Sequence, residues 1–211
     1  MATVEKPVPG KGAARGPRGS YAKSETTKAA ILDAALEVFS QGGYRSGSLK
    51  DVALKVGISE AGLLHHFRSK SRLLEAVLEH RDSMNVHFVP PHPDDGVKAM
   101  HGLLELARYN ASVPGVVELY CTLSAEATAP DHPAHEYFVK RYEITRGTLV
   151  DAYTDLEAKG MLRPGVTAQG AARSTIAIMD GLQVQWLLDR TQLDMAEELR
   201  LHLCSLTTVE L

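Results

Sequence analysis

The chain has 211 residues, 44% of them hydrophobic and 23% charged, which is ordinary for a soluble globular protein of one or two domains. No apolar run reaches the ~18 residues that cross a bilayer, and no secretory signal opens the sequence, so we expect a cytoplasmic protein without a membrane partner. The net charge is −3, but residues 1–81 carry 13 Lys/Arg and 8 Asp/Glu, whereas residues 82–211 carry 10 and 18. A basic front on an acidic body indicates that one end meets phosphate.

The first part of the chain predicts a tail followed by a helix. Residues 1–22 combine Gly, Pro and basic residues with almost no hydrophobic side chains, which is typical of a disordered basic tail. We leave open whether this tail contacts nucleic acid or has no role. Apolar residues at helical spacing over residues 24–41 then predict an amphipathic helix that ends at Gly42-Gly43. Thr27 and Lys28 are expected in its first turn, within reach of a phosphate.

The next stretch, residues 48–70, predicts two short helices joined by a tight turn. Ser48 is placed to cap the first helix, Gly57 to end it, and Ser59 to cap the second, which Leu63 helps to bury. This layout is typical of a helix-turn-helix, whose second helix enters the major groove of DNA. We therefore predict DNA contacts at the start of the first helix and on the outward face of the second: Ser48, Leu49, Ser59, Glu60, Ala61, Gly62, Leu64, His65 and His66.

Lys70 stands at the start of the next predicted helix, residues 71–84, which links the motif to the rest of the chain. A cation at that position opposes the helix dipole and costs ~0.3 kcal/mol or more. We interpret Lys70 as a ligand for a DNA phosphate, together with the free N–H groups beside it. The alternative is an ordinary surface lysine.

Short motifs across about residues 24–75 match a known pattern: Ile31–Ala35, Phe39, Gly43-Tyr44, Ser48, Val52-Ala53, Val56–Ser59, Leu63–Phe67 and Ser69-Lys70. As a set they resemble the N-terminal domain of TetR/AcrR-family repressors. The chain departs from the family at Leu64, where a tyrosine is frequent, and at Ser71, where glutamate is usual; His65 is the candidate to replace the tyrosine contact. The resemblance implies a transcriptional regulator, most often a repressor, that binds a palindromic operator in double-stranded DNA as a homodimer and is released by a small-molecule effector.

The rest of the chain predicts further amphipathic helices. Three prolines in residues 85–95 interrupt the helical pattern. Turns then separate predicted helices over about residues 96–112, 116–127, 135–159, 167–188 and 193–206. The predicted fold class is therefore all-α, with about nine helices. A three-helix helix-turn-helix DNA-binding domain at residues 23–70 precedes a helical ligand-binding and dimerisation domain at residues 71–211.

An effector pocket is expected among the central helices. Apolar residues with a few hydroxyl and amide groups favour a mostly hydrophobic or aromatic effector. Core packing is the alternative for each of the predicted lining residues, which are Met100, Leu104, Tyr120, Ser124, Tyr142, Met179, Gln183 and Trp186.

The last two predicted helices carry stripes suited to helix pairing. Two such helices from each of two subunits form a four-helix bundle with two-fold symmetry, whereas packing within one chain is the alternative. The predicted interface residues are Ala177, Gly181, Val184 and Leu188 on one helix and Met195, Leu199 and Leu203 on the other. Residues 180–183 and 186–189 also resemble the TetR subgroup with a BetI-like C-terminal domain.

Enzymatic activity is not expected. The sequence has no Ser/His/Asp order, no Gly-rich phosphate loop and no metal-ligand spacing among its nine histidines, so we predict no catalytic residue, metal or cofactor. Cys121 and Cys204 are interpreted as buried free thiols, with a redox sensor as the alternative. The regulator could also respond to a protein partner in place of the small-molecule effector, or activate transcription in place of repressing it.

Overall fold

The computed structural model describes the backbone of residues 18–211 and the side chains of residues 24–211. Within that range the chain forms nine α-helices, which confirms the predicted all-α fold. They are α1 (Arg18–Ser46), α2 (Leu49–Val56), α3 (Glu60–His66), α4 (Lys70–Asn85), α5 (Gly96–Ser112), α6 (Pro114–Glu126), α7 (His135–Ala158), α8 (Ala168–Leu188) and α9 (Met195–Leu206).

The start of α1 corrects the predicted tail. Residues 1–17 of that tail lie outside the described residues, but residues 18–22 are helical because α1 begins at Arg18. No proline occurs between Pro17 and Pro90, so no residue in this part of the chain prevents the helix from extending forward. At its other end α1 kinks at Gly43, which has φ 73° and ψ 163°. The predicted helix stop at Gly42-Gly43 is therefore correct.

A first hydrophobic core, here called the front core, holds the helix-turn-helix on α1 and α4. Ile31 and Phe39 of α1, Val52 of α2 and Leu63 of α3 are all fully buried in it. Burial of one such side chain contributes ~1.5–3 kcal/mol. The core continues past residue 70, since Leu73, Leu74, Val77 and Leu78 of α4 are buried in the same cluster.

A second hydrophobic core, here called the rear core, is formed by α5, α8, α9 and the later turns of α7. Helices α6 and α7 contribute to both cores: Leu123 and Phe138 belong to the front core, whereas Val117 and Leu149 belong to the rear core. The helix-turn-helix is therefore attached to the rest of the protein by α4 and by the two helices that both cores share.

The connection between α4 and α5 lies close against α5. A Cβ atom at Gly102 would overlap the carbonyl oxygen of Phe88, so a side chain at this position would separate the connection from the helix. Among the described helices, none has both the length and the apolar character of a membrane span. The described His, Cys, Asp and Glu side chains form no group of three that could hold a metal ion.

Candidate DNA-binding surface and internal cavity

Two capped helices, α2 and α3, form the motif that the sequence predicts. The hydroxyl oxygen of Ser48 accepts the N–H of Asp51 at 3.1 Å, and that of Ser59 accepts the N–H of Gly62 at 3.0 Å. Between the helices Gly57 has φ 76°, in the left-handed region that favours glycine. These contacts, all between residues close in sequence, define the ends of the two helices and the turn between them.

The outer face of α3 is open to solvent, while Leu63 on its inner face is fully buried. The predicted contact residues of this helix lie on or beside the open face: Ser59, Glu60, Ala61, Leu64 and His65 are exposed, and Gly62 and His66 are half-buried. The His65 and His66 rings stand edge to face with their centroids 5.8 Å apart. They occupy the last turn, where the helix dipole favours positive charge.

The predicted contacts outside α3 are placed less simply. Ser48 and Leu49 are half-buried at the start of α2, and the Ser48 hydroxyl also donates to a carboxylate oxygen of Asp51 at 2.6 Å. Thr27 and Lys28 lie well inside α1 and not in its first turn, because α1 begins at Arg18. Their N–H groups are thus within the helix, and only their side chains can reach DNA; Lys28 lies 3.7 Å from Glu25.

Lys70 connects α4 to the segment before α2. Its ammonium group donates to the carbonyl oxygen of Arg45 at 3.1 Å and lies 4.7 Å from the centroid of the Tyr44 ring. Burial lowers the pKa of Lys70. Sequence reasoning did not find this structural contact, because it joins residues far apart in the chain. The contact gives Lys70 a role within the fold besides the phosphate role predicted for it.

Two cations beside the motif were not among the predicted contacts. Lys50 in the first turn of α2 and Arg68 directly after α3 are exposed. Neither belongs to an ion pair among the described residues, unlike Lys55, which lies 2.6 Å from Glu37. The sequence signal that could have identified them is their position next to the predicted contact residues. Both are candidate phosphate ligands.

A cavity of about 110 Å³ lies among α4 to α8. Helices α4 and α5 contribute Arg81, Asn85 and Asn110, and the other lining residues are Val116, Val117, Tyr120, Cys121, Ser124, Phe138, Arg141, Tyr142, Asp180, Gln183 and Val184. This lining is more polar than the sequence predicts, because the end of α4 brings a guanidinium and an amide group to it.

The cavity holds four of the eight predicted pocket residues: Tyr120, Ser124, Tyr142 and Gln183. The assignment is wrong for Met100, Leu104 and Trp186, which are buried in the rear core. Met179 lines a separate, smaller void beside Leu199. Helical spacing identified apolar faces correctly but did not show which part of each face meets the cavity and which part meets a neighbouring helix.

Hydrogen bonds fasten α4 to the walls of the cavity. The carbonyl oxygen of Leu78 accepts the hydroxyl of Tyr120 at 2.9 Å, and the Tyr137 hydroxyl oxygen lies 3.3 Å from the same carbonyl oxygen. Asp82 accepts the Tyr137 hydroxyl at 2.5 Å and lies 3.1 Å from the guanidinium of Arg141. Burial raises the pKa of both tyrosines, so both hydroxyls remain donors at neutral pH.

Cys121 and Tyr142 face Asp180 within the cavity. The Tyr142 hydroxyl donates to Asp180 at 2.8 Å, and burial together with this carboxylate raises the pKa of Tyr142 to about 12. Burial raises the pKa of Cys121 to about 11, with a further increase from the charge of Asp180. Both cysteines are half-buried free thiols. The raised pKa leaves little reactive thiolate on Cys121 at neutral pH.

The exposed apolar residues of α8 and α9 only partly follow the predicted interface. Val184 and Leu188 of α8 are exposed, Leu188 by 83%, and Ala177 is exposed with Gly181 half-buried. The prediction is wrong for Met195, Leu199 and Leu203, because α9 uses this stripe to pack against α5 and α8 in the rear core. On α9 the exposed apolar side chain is Leu201.

Together these features define a helical protein with an N-terminal helix-turn-helix and a second helical unit that encloses a cavity. Comparison with known sequences agrees with this class. The profile described as "Bacterial regulatory proteins, tetR family" matches residues 31–77. The profile described as "BetI-type transcriptional repressor, C-terminal" matches residues 112–208. The chain belongs to the tetR family of bacterial regulatory proteins, and it is a DNA-binding transcriptional regulator and not an enzyme.

Individual relatives support the same assignment. The chain is 26% identical over 178 residues to the HTH-type transcriptional regulator UidR of Escherichia coli K12, an alignment that covers 83% of this chain and 87% of UidR. Its fold is similar to that of NalD, the secondary repressor of the MexAB-OprM multidrug efflux pump in Pseudomonas aeruginosa, with TM-score 0.64, 22% identity and coverage of 88% and 98%. It is also similar to the SmeT–triclosan complex, with TM-score 0.76, 19% identity and coverage of 88% and 95%. SmeT is the repressor of a Stenotrophomonas maltophilia efflux pump.

Proposed function

We propose that this regulator is a cytoplasmic repressor that binds a palindromic operator as a homodimer and is released by a small molecule bound in the cavity among α4 to α8. The observation that carries the proposal is the course of α4. This 16-residue helix begins directly after the helix-turn-helix and ends at Arg81 and Asn85, which line the cavity. Because one continuous helix joins the two sites, a shift of its cavity end also moves the end that adjoins the helix-turn-helix.

The DNA contacts in this proposal follow from exposure and charge. The open face of α3 enters the major groove, with Glu60, Ala61, Leu64 and His65 nearest the base edges. Lys50, Arg68 and Lys70 flank it and contact phosphates, which position the protein without reading sequence. Glu60 can accept a hydrogen bond from a cytosine amino group, so it is the residue on this face most suited to select a base.

The dimer in this proposal forms through α8. Ala177, Gly181, Val184 and Leu188 lie along one side of the helix with only small or apolar side chains, and Leu201 adds an apolar side chain from α9. Ile178, Val184, Leu188 and Leu201 are the large exposed hydrophobic residues of α8 and α9 among the described residues. A two-fold axis next to this face pairs α8 with its copy, which keeps two α3 helices at a fixed spacing.

The coupling step in this proposal is a change in the contacts that fasten α4. The Leu78 carbonyl and the Asp82 carboxylate tie α4 to Tyr120, Tyr137 and Arg141, which are themselves next to or part of the cavity wall. A ligand that binds one arrangement of these contacts more tightly than another shifts the population of α4 positions. The ligand-bound position changes the spacing of the two α3 helices and weakens operator binding. SmeT, which shares this fold, has been solved with triclosan bound, in keeping with a ligand-responsive regulator.

The test is a nuclease protection experiment with the purified protein on the DNA around its own gene. We expect protection of two symmetric half-sites whose centres are ~34 Å apart, one helical turn, or a multiple of that spacing. The matched control is a protein with Glu60→Ala and Leu64→Ala, which keeps the fold but changes the open face of α3. Protection that is spread evenly over promoter and random DNA, or that is identical with the control variant, would contradict the proposal.

A further inference from the structure

Arg81 is the most buried charged side chain among the described residues and points into the cavity. The residue is only 2% exposed. One of its guanidinium nitrogens donates to the side-chain oxygen of Asn110 at 3.2 Å, and another donates to that of Asn85. Its guanidinium carbon stands 4.9 Å from the centroid of the Tyr109 ring. All of these partners are neutral.

A carboxylate partner for Arg81 is missing among the described residues. The other arginine of the cavity wall, Arg141, is paired with Asp82 at 3.1 Å. Asp180, the remaining carboxylate of the cavity, accepts the Tyr142 hydroxyl and forms no ion pair with Arg81 within 4 Å. A buried guanidinium costs several kcal/mol of desolvation unless an anion or a full set of hydrogen bonds compensates it. Two amide oxygens leave most of its five N–H donors without an acceptor among the described residues.

We infer that Arg81 anchors a carboxylate, so that the effector of this regulator is a small organic acid. The inference rests on the function proposed above, because it names the class of ligand that the cavity takes. A guanidinium offers two parallel N–H donors that match the two oxygens of a carboxylate. Capture of a carboxylate there replaces the amide contacts of Asn85 and Asn110, and so acts directly on the last turn of α4.

The second polar wall of the cavity narrows the class of ligand further. One oxygen of Asp180 accepts the Tyr142 hydroxyl, and no described residue donates to the other. A ligand group that donates a hydrogen bond, such as a hydroxyl, fits there. The carboxylate of Asp180 also disfavours a doubly charged anion, since Arg81 is the one cation without a carboxylate partner among the described residues that line the cavity. The ligand is therefore a monocarboxylate with a hydrogen-bond donor on its other end, in preference to a phosphate ester.

Cys121 allows a test that needs no knowledge of the natural effector, because its thiol lines the same cavity. Iodoacetate and iodoacetamide alkylate thiols by the same displacement: the thiolate sulfur bonds to the CH₂ carbon, iodide leaves, and buffer takes the thiol proton. The two reagents differ in that only iodoacetate has a carboxylate. The quantity to measure is the ratio of the two alkylation rates at Cys121, followed by peptide mass spectrometry in the wild-type protein and in variants.

The expected result is that Arg81→Gln lowers the iodoacetate-to-iodoacetamide rate ratio by about tenfold or more, the effect of one lost hydrogen-bonded charge contact. Arg81→Lys keeps the charge and retains part of the preference. Arg146→Gln removes an exposed arginine of α7 and leaves the ratio unchanged. A ratio that is the same in wild type and Arg81→Gln overturns the inference.

A second measurement on the wild type avoids dependence on how the variants fold. Alkylation of Cys121 by iodoacetamide is measured in the presence of 4-hydroxybenzoate or of 4-hydroxybenzamide, at equal concentration and ionic strength. The rate with the acid present should be about tenfold lower than the rate with the amide present. Equal protection by acid and amide, or protection by neither, overturns the inference. Operator binding by the same preparations separates the two proposals. If only neutral compounds release the operator, the proposed function holds and the carboxylate site is wrong. If the protein prefers carboxylates at Cys121 but binds no operator, the carboxylate site holds and the proposed function is wrong.

Discussion

The motif of α2 and α3 and the cavity among α4 to α8 are built in opposite ways. The motif is a continuous stretch whose caps and turn use residues at most a few positions apart, such as Ser59 and Gly62. The cavity takes its lining from five helices, with Arg81 and Val184 more than a hundred residues apart in sequence. Its surface is also polar, whereas the motif rests on apolar side chains. The comparison shows that the helix-turn-helix is specified locally, while the cavity depends on how helices distant in sequence pack together.

The largest expected effect comes from the support of the motif. Leu63→Ala removes a fully buried side chain from the front core and should lower the free energy of unfolding by ~2–5 kcal/mol. Leu64→Ala, its exposed neighbour, should change stability by less than ~0.5 kcal/mol. Urea unfolding followed by circular dichroism measures both. Similar losses for the two variants would mean that α3 is not buried as the structure describes.

The dimer face that we propose on α8 gives the next largest expected effect. Leu188→Glu places a charge on the most exposed apolar residue of α8, and we expect it to convert dimers into monomers in sedimentation experiments at micromolar concentration. Ile144→Glu, on the exposed side of α7, is the matched control and should leave the dimer intact. A dimer that survives Leu188→Glu would place the interface elsewhere.

The attachment of α4 to the cavity wall should contribute less. Asp82→Asn removes the charged partner of Arg141, and because both side chains are partly exposed we expect a loss of only ~1–2 kcal/mol in unfolding free energy. Glu105→Gln breaks an exposed pair with Arg108 within α5 and serves as the control with no measurable effect. Thermal unfolding compares the two. If the two variants lost equal stability, Asp82 would be no more important than a surface carboxylate.

A Lys70 variant tests whether this residue of α4 also contributes to DNA binding by the motif. Lys70→Ala removes a cation that holds the Arg45 carbonyl and, in our proposal, a DNA phosphate. Binding should weaken equally for all DNA sequences, and the slope of log affinity against log salt should fall by about one. Lys98→Ala, on the exposed side of α5, should leave the slope unchanged. A change in preferred sequence would instead assign Lys70 to base reading.

The smallest effect concerns Asp180. Burial raises its pKa above the usual range, so the folded protein holds this proton more tightly than the unfolded chain. Its contribution to stability is therefore present at low pH and is lost as the pH rises from ~4 through the raised pKa. Asp180→Asn removes this loss of stability. The melting temperature of the variant minus that of the wild type should therefore increase as the pH rises over that range. A constant difference from pH 4 to pH 7 would contradict the raised pKa.

These contrasts explain what the sequence could predict. Caps at Ser48 and Ser59 and the turn at Gly57 are local signals, and the structure contains all three. The start of α1 was missed because a basic, Gly-containing stretch has weak preferences in either direction. Met195, Leu199 and Leu203 have the spacing of a helix face, but spacing alone does not distinguish the chain's own core from a partner subunit. Arg81 was missed because its burial depends on the end of α4 meeting Tyr109 and Asn110 of α5.

The most direct test of the central claim is a change in operator spacing. Once the half-sites are mapped, ~5 bp inserted between them places the two sites on opposite sides of the duplex. Fluorescence anisotropy should then show affinity falling by about 10³ or more, toward that for random DNA, because in our proposal a dimer holds two α3 helices at a fixed distance. Unchanged affinity for the altered operator would contradict the account, since it would show that the two α3 helices do not bind as one rigid unit.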